Sequence, residues 1–270
     1  MVAFPPCKIN LGLNITGKRA DGYHDIITCF YPVPWNDVLE ILPAKDFAFS
    51  LSGEPVPGTA ADNLCVRAYQ VFKNEYDLRS VAIHLLKTIP MGAGLGGGSS
   101  DGAWTLRILN QLFSLSISAG QMNQHAAQLG SDCPFFLQDK PMIGTGRGDV
   151  LSPVSISLKD KFLVIVKPEV HISTAEAYAG ITPRTPATDL RQVLETRHIR
   201  DWKQLLKNDF QEGLFGKFPI IEALYQKLYA FGATYVSMSG SGSSVYGIFD
   251  QEVDLKKEFE GMVYWSAYLD

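Results

Sequence analysis

The sequence predicts a mixed helix-and-strand fold built in two halves. Three observations point there. The chain has 270 residues, and domains average roughly 100–200 residues, so two are expected. Segments of period-two alternation are interleaved with segments of helical periodicity along the whole length. The stretch Leu151–Lys161, between a glycine turn and a new strand, reads as a boundary. A hydrophobic content of 46% is ample for a sizeable core.

Lys8 to Ile15 is the first strand. Ile9, Leu11, Leu13 and Ile15 share one face; Lys8, Asn10, Gly12 and Asn14 share the other. Asparagine is a poor strand residue, yet two lie on the polar face, and Gly12 between them clears space above it. Gly17 to His24 reads as a turn carrying an aromatic, Tyr23, and an imidazole, His24. Val81 to Leu86 alternates again. It runs into Pro90, Met91, Gly92, Ala93, Gly94, Leu95, Gly96, Gly97, Gly98, Ser99 and Ser100. Glycine at this density answers a need for unusual backbone angles or for close approach. Asp101 to Leu112 follows as a helix. Strand, glycine loop and helix together aim backbone N–H groups at a site for phosphate.

Gln121 to Leu129 reads as a helix ended by Gly130. Asp132, shortly before Pro134, is equally a cap for the next turn or a catalytic acid. Gly144 to Asp149 is a glycine turn. Lys161 to Lys167 is a strand closed by Pro168, and Val170 to Tyr178 leads into a helix capped by Ser173 or Thr174. Pro219 to Phe231 is a helix with Ile220, Ile221, Leu224, Leu228 and Phe231 as its apolar stripe and Gly232 as its stop. Tyr235 to Phe249 is strand, glycine turn, strand.

The glycine run has look-alikes. Gly92, Gly94 and Gly97 satisfy G-x-G-x-x-G, but a dinucleotide fold wants an acid about 20 residues further on, and after Asp101 the next is Asp132. A Walker loop ends in Gly-Lys and then Ser or Thr; here Gly17-Lys18 precedes Arg19 and Gly216-Lys217 precedes Phe218. The His-Arg-Asp and Asp-Phe-Gly segments of protein kinases are absent from the sequence.

The run Pro90–Ser100 resembles the second motif of the GHMP kinases, a family named for galactokinase, homoserine kinase, mevalonate kinase and phosphomevalonate kinase. Met238–Ser244 is similar to the third motif, and Leu129–Phe136 to the segment that carries the family's acid. Pro6–Leu13 with Gly17–His24 is similar to the first motif of one branch. The resemblance implies an α+β fold of two domains. Residues 1–155 form an ATP-loop half like the second domain of ribosomal protein S5, and residues 156–270 a ferredoxin-like half. It implies ATP as the donor, Mg²⁺ on its phosphates, and the loop Pro90–Ser100 around its triphosphate. Asp132 is then the base on the acceptor hydroxyl; Lys8 holds that aspartate ionised and steadies the phosphoryl charge. Lys87 and Asn63 are expected on the adenine side. Asp21 to His24 marks the branch whose acceptor is a cytidine-diphosphate-linked methylerythritol, phosphorylated on its 2-hydroxyl for isoprenoid synthesis. His24 would hydrogen-bond the cytosine, a pyrimidine edge that suits one donor and one acceptor. Tyr23 would stack on it and Tyr178 cover its other face, with Asn10 and Thr174 completing the acceptor side. The metal ligands are unassigned; Ser99, Ser100 and Asp101 are phosphate or metal contacts or, for the serines, helix caps. Cys7 and Gly102 stand where the family usually has alanine, and both are small.

Composition excludes other classes. With 24 basic and 28 acidic residues and no basic run, a nucleic-acid footprint is unsupported. No apolar stretch approaches the roughly 20 residues of a membrane span, and the start lacks the pattern of a signal peptide. Cys7, Cys29, Cys65 and Cys133 are scattered, as in a reduced cytoplasmic protein. The histidines form no zinc pattern. A small-molecule acceptor, no nucleic acid, no membrane and a monomer or weak dimer are expected. Two other readings stand beside this one. A sibling kinase acting on homoserine, mevalonate or a sugar is opposed by Asp21–His24; a non-catalytic nucleotide-binding module is opposed by Lys8 and Asp132.

Overall fold

The computed structural model describes residues 1–269. In chain order, β1 (Val2–Ala3), β2 (Pro6–Lys18), β3 (His24–Asn36), β4 (Val38–Pro43) and β5 (Ala48–Gly53) precede α1 (Leu64–Tyr76), β6 (Val81–Lys87), α2 (Gly97–Leu112) and α3 (Ala119–Leu129). Then come β7 (Met142–Thr145), β8 (Val150–Pro153), β9 (Phe162–Lys167), α4 (Thr174–Tyr178), α5 (Leu190–Thr196), α6 (Trp202–Leu205), α7 (Phe210–Lys217), α8 (Pro219–Ala230), β10 (Tyr235–Met238), β11 (Val245–Phe249) and β12 (Val263–Tyr268). These elements form two compact units, each assembled from several stretches of chain.

The first unit takes residues 1–8, 35–91 and 96–139. Its sheet has the order β1-β4-β6-β5, with β4 antiparallel and β5 parallel to β6. The alternation of β6 is realised: Val81, Ile83, Leu85 and Lys87 are buried, while His84 and Leu86 are exposed. A lysine on the buried face is the exception, and it bears on the site. Asn63 caps α1 by accepting from the Cys65 N–H, and Ser118 forms a capping box with Gln121 at α3. The helix after the glycine run begins at Gly97, four residues before the expected Asp101. Gly97 and Gly98 are therefore helical. A Cβ on Gly97 would lie 2.9 Å from Ile89 Cγ2 and 3.1 Å from Lys87 Nζ, so close packing, rather than an open loop, demands glycine there.

The second unit takes residues 9–34, 92–95 and those from Lys140 onward. It holds two four-stranded sheets, β2-β3-β7-β8 and β10-β11-β9-β12, the latter antiparallel throughout. Leu13, Ile15, Val164, Val166, Phe210, Leu224 and Phe249 belong to one buried cluster. Ser173, not Thr174, caps α4. The stripe of α8 is narrower than expected: Ile221, Leu224 and Leu228 are buried, whereas Ile220 and Phe231 are 38% and 36% exposed. Ile220 sits in the first turn on the solvent side, and the helix stops at Ala230. All four cysteines are free and buried. Among the described residues no helix is long and apolar enough to cross a membrane.

Candidate active site

In the first unit the beginning of β2 carries Lys8 and the turn after α3 carries Asp132. Lys8 Nζ and Asp132 Oδ2 are 3.6 Å apart. The lysine is buried and the aspartate about one-third exposed, at 33%, so the carboxylate is the reachable member of the pair. Asp132 does stand at the N-cap of the 3₁₀ turn Cys133–Leu137, but its side chain makes no capping bond. Burial pushes the Lys8 ammonium below its usual range, and Asp132 opposes that shift. Gly96, the residue before α2, is left-handed at φ +72°. A Cβ there would lie 2.9 Å from the Phe136 ring and 3.2 Å from Lys8 Cε. The last turn of the glycine run is thus in contact with the ion pair's lysine, and the N–H groups of α2 start at that point.

Behind this turn lies a group of three buried charges. Lys87 Nζ donates to Asp37 Oδ2 and, at 2.8 Å, to Asp101 Oδ2. All three side chains are sealed from solvent. Lys87, expected on the adenine side, has its charged end engaged here. Burial alone would lower its pKa; the two carboxylates, Asp101 foremost, outweigh burial and raise it. Burial pushes the Asp101 carboxyl up to about 7, with Lys87 pulling it down and Asp37 adding to the rise. An acid whose folded pKa is raised binds its proton more tightly folded than unfolded. Its contribution is therefore in place at acid pH and is lost as pH rises through about 7. We expect the urea midpoint at pH 5.5 to exceed that at pH 8, and Asp101→Asn to shrink the difference. An equal difference in the variant would exclude Asp101 as its source.

Asn63 lines a cleft of about 100 Å³ together with Val56, Asp62, Met91, Gly98 and Asp101. Met91 Cε lies 3.3 Å from where a Cβ of Gly98 would be. Ser100 Oγ and Asp101 Oδ1 are buried at the first turn of α2 without hydrogen-bond partners among the described residues.

In the second unit Gly92 to Leu95 are held by the turn after β10. Ser239 Oγ donates to the Gly94 carbonyl at 2.8 Å, and the Ser244 N–H to the Ala93 carbonyl at 3.2 Å. Asn208 Nδ2 in turn donates to the Met238 and Gly240 carbonyls.

The expected cytosine residues also lie in the second unit. His24 and Tyr178 are brought together as a ring stack, 4.5 Å between centroids and 19° between planes. Phe210 supports Tyr178 edge-on at 4.8 Å. Tyr23 is not in that stack: it is exposed, with the Arg147 guanidinium 5.1 Å above its ring. Asn10 is buried, donating to Thr28 Oγ1 at 2.9 Å, and its carbonyl accepts from Tyr246. Thr174 is exposed at the first turn of α4.

Sequence reasoning missed Asp37, Arg147 and Ser239 as individuals. Asp37 is 50 residues from Lys87 in the chain, and only the pairing of β4 with β6 brings them together. Arg147 stands in the turn Gly144–Asp149, which was legible as a turn but carried no sign of Tyr23.

The family model described as the GHMP kinases N terminal domain matches residues 63–140, and that described as GHMP kinases C terminal matches residues 190–262. The chain is 47% identical over 93% of both chains to a protein of Cytophaga hutchinsonii named 4-diphosphocytidyl-2-C-methyl-D-erythritol kinase. It is 43% identical, over the full length of both chains, to a Parabacteroides distasonis protein of the same name. A crystal structure of a 4-(cytidine 5'-diphospho)-2C-methyl-D-erythritol kinase superposes with a TM-score of 0.79 at 31% identity, covering 93% of this chain and 91% of that one.

Proposed function

The chain belongs to the GHMP kinase family, and we propose that it transfers a phosphoryl group from ATP to the 2-hydroxyl of 4-diphosphocytidyl-2-C-methyl-D-erythritol. Its relatives are small-molecule kinases bearing that substrate's name. The observation that carries the mechanism is the position of Gly96 against Lys8, which puts the end of the glycine run beside the Lys8–Asp132 pair. Asp132 accepts the hydroxyl proton as the acceptor oxygen bonds to the γ-phosphorus and ADP leaves. Lys8 fixes the carboxylate's position and offsets the negative charge that gathers in the transition state. Phosphoryl transfer asks mainly for positioning and charge stabilisation, so orienting the hydroxyl matters as much as taking its proton.

Residues Pro90–Ser100 take the triphosphate on backbone N–H groups, and Asn63 belongs to the adenine side in the cleft it lines. Mg²⁺ accompanies ATP in this proposal. Among the described residues no cluster of three or more His, Cys, Asp or Glu is present. When bound with ATP, Mg²⁺ would take most of its oxygens from phosphate and water. The partnerless Ser100 Oγ fits such an ion, so the hydroxyls of Ser99 and Ser100 would hold it. It would neutralise phosphate charge. We assign the family's ATP-loop domain to residues 1–155 and its C-terminal domain to 156–270; the matched stretches 63–140 and 190–262 fall inside them. Four free, buried thiols suit a reducing cytoplasm.

Tyr23, His24 and Tyr178 form the cytosine site, with Asn10 and Thr174 toward the rest of the acceptor. Because His24 lies on the Tyr178 ring, a base between the two tyrosines requires the imidazole to move to the base's edge. Purified protein with ATP, Mg²⁺ and this acceptor should release ADP. His24→Ala should raise the acceptor KM about tenfold, a charge-neutral hydrogen bond's worth, and leave the ATP KM alone. An unchanged acceptor KM removes His24 from the site. Turnover with mevalonate or homoserine but not with this acceptor sinks the branch assignment.

A further inference from the structure

The Asp37–Lys87–Asp101 group has no part in the mechanism above, and its geometry is unusual. Two carboxylates share one ammonium, all sealed from water. Buried ion pairs seldom improve stability over apolar residues of like volume, so their retention calls for an account in geometry. The contacts supply one. Asp37 Oδ1 accepts from the backbone N–H of Thr88 at 2.6 Å and of Ile89 at 2.9 Å, the two residues that lead into Pro90. Asp37 is itself held by its N–H to the Pro5 carbonyl. Asp101, directly after Ser100, is joined to Lys87 Nζ. The same ammonium lies 3.1 Å from where a Cβ of Gly97 would be. One chain of charge-assisted hydrogen bonds thus connects the residues before the glycine run to the residue after it.

We propose that Asp37, Lys87 and Asp101 form a clamp that closes the two ends of the Pro90–Ser100 loop and sets its N–H groups before nucleotide arrives. They are positioning residues: they act through the backbone and touch no reacting atom. A loop held in its binding geometry does not pay the ordering cost at binding, so the clamp acts on nucleotide affinity. This inference rests on the reading of the loop as the ATP site.

Two measurements test it. In the nucleotide-free wild type, the Thr88 and Ile89 amides, which donate to Asp37, should exchange with deuterium as slowly as those of β6; exchange at the rate of unbonded amides overturns the clamp whatever the variants do. Asp101→Asn, and the uncharged pair Lys87→Met with Asp101→Leu, are then compared by calorimetry with Mg-ADP. Affinity should fall about tenfold in each, since small misplacements of positioned groups are costly. The ATP KM should rise with it, while the acceptor KM moves less than twofold. A folded Lys87→Met/Asp101→Leu protein that binds Mg-ADP like the wild type overturns the proposal. Failure of the wild type to bind Mg-ADP instead overturns the reading of the loop, and the exchange result still stands.

Discussion

Asp132→Asn should lower kcat by about 100-fold to 10,000-fold, the range general acid–base groups contribute, while the protein stays folded. The substitution keeps the side chain's shape and removes the oxygen that takes the proton. Asp132 is one-third exposed and makes no capping bond, so little stability depends on it. Lys8→Met is its companion. Lys8 is buried, and burial works against its charge. An apolar chain of similar length should therefore leave thermal stability near that of the wild type and still abolish most turnover. Stability and activity separate in this variant, which distinguishes a catalytic cation from a structural one. Near-normal kcat in Asp132→Asn would show that Asp132 is not the base. Near-normal kcat in Lys8→Met would remove Lys8 from the phosphoryl site.

Gly94→Ala should cost the most of any single methyl added to the loop. A Cβ at Gly94 would fall 1.9 Å from the Ser239 carbonyl oxygen and 3.1 Å from that of Gly242, at a φ of +75°. The left-handed backbone costs roughly 1–2 kcal/mol for a residue with a Cβ. Forcing the backbone oxygen aside adds about 1–3 kcal/mol. The Ser239–Gly94 hydrogen bond should break, and urea unfolding should show a loss of about 2–5 kcal/mol. Gly92→Ala is the control. It shares the left-handed backbone, but its nearest neighbour is the His171 ring at 3.0 Å, a side chain free to turn. Its loss should be the smaller one. Equal losses at the two positions would mean that backbone strain alone governs the loop.

What could be read from the sequence was local. Alternation located β6 and the first half of β2, and caps and glycines bounded the helices to within a few residues. The glycine run announced phosphate, and Asp21–His24 announced a branch. Asp132 could not be separated from a helix cap, because an aspartate before proline reads the same either way. The fold adds what the sequence lacked: Lys8, 124 residues away in sequence, lies 3.6 Å from it, and the Asp132 side chain makes no capping bond. Lys87 was the hardest case. A lysine ending an alternating strand beside a phosphate loop reads as a ligand contact, yet its register on β6 points it inward to Asp37 and Asp101. Inward charges are invisible to patterns that sort residues by polarity. The early start of α2 has the same origin: glycine reads as a helix breaker, and only the packing of Ile89 and Lys87 against Gly97 explains glycine inside a helix.

Of the acceptor's hydroxyls, the 2-hydroxyl is the one that should receive the phosphoryl group. Phosphorus NMR of the reaction mixture tests it most directly. Carbon 2 of the acceptor bears a methyl group and no hydrogen, so a phosphate on its oxygen has no three-bond proton coupling. A new phosphomonoester singlet should grow in step with ADP in the proton-coupled spectrum. A doublet or triplet, from phosphate on carbon 3 or carbon 1, or ADP release with no new monoester signal, would contradict it.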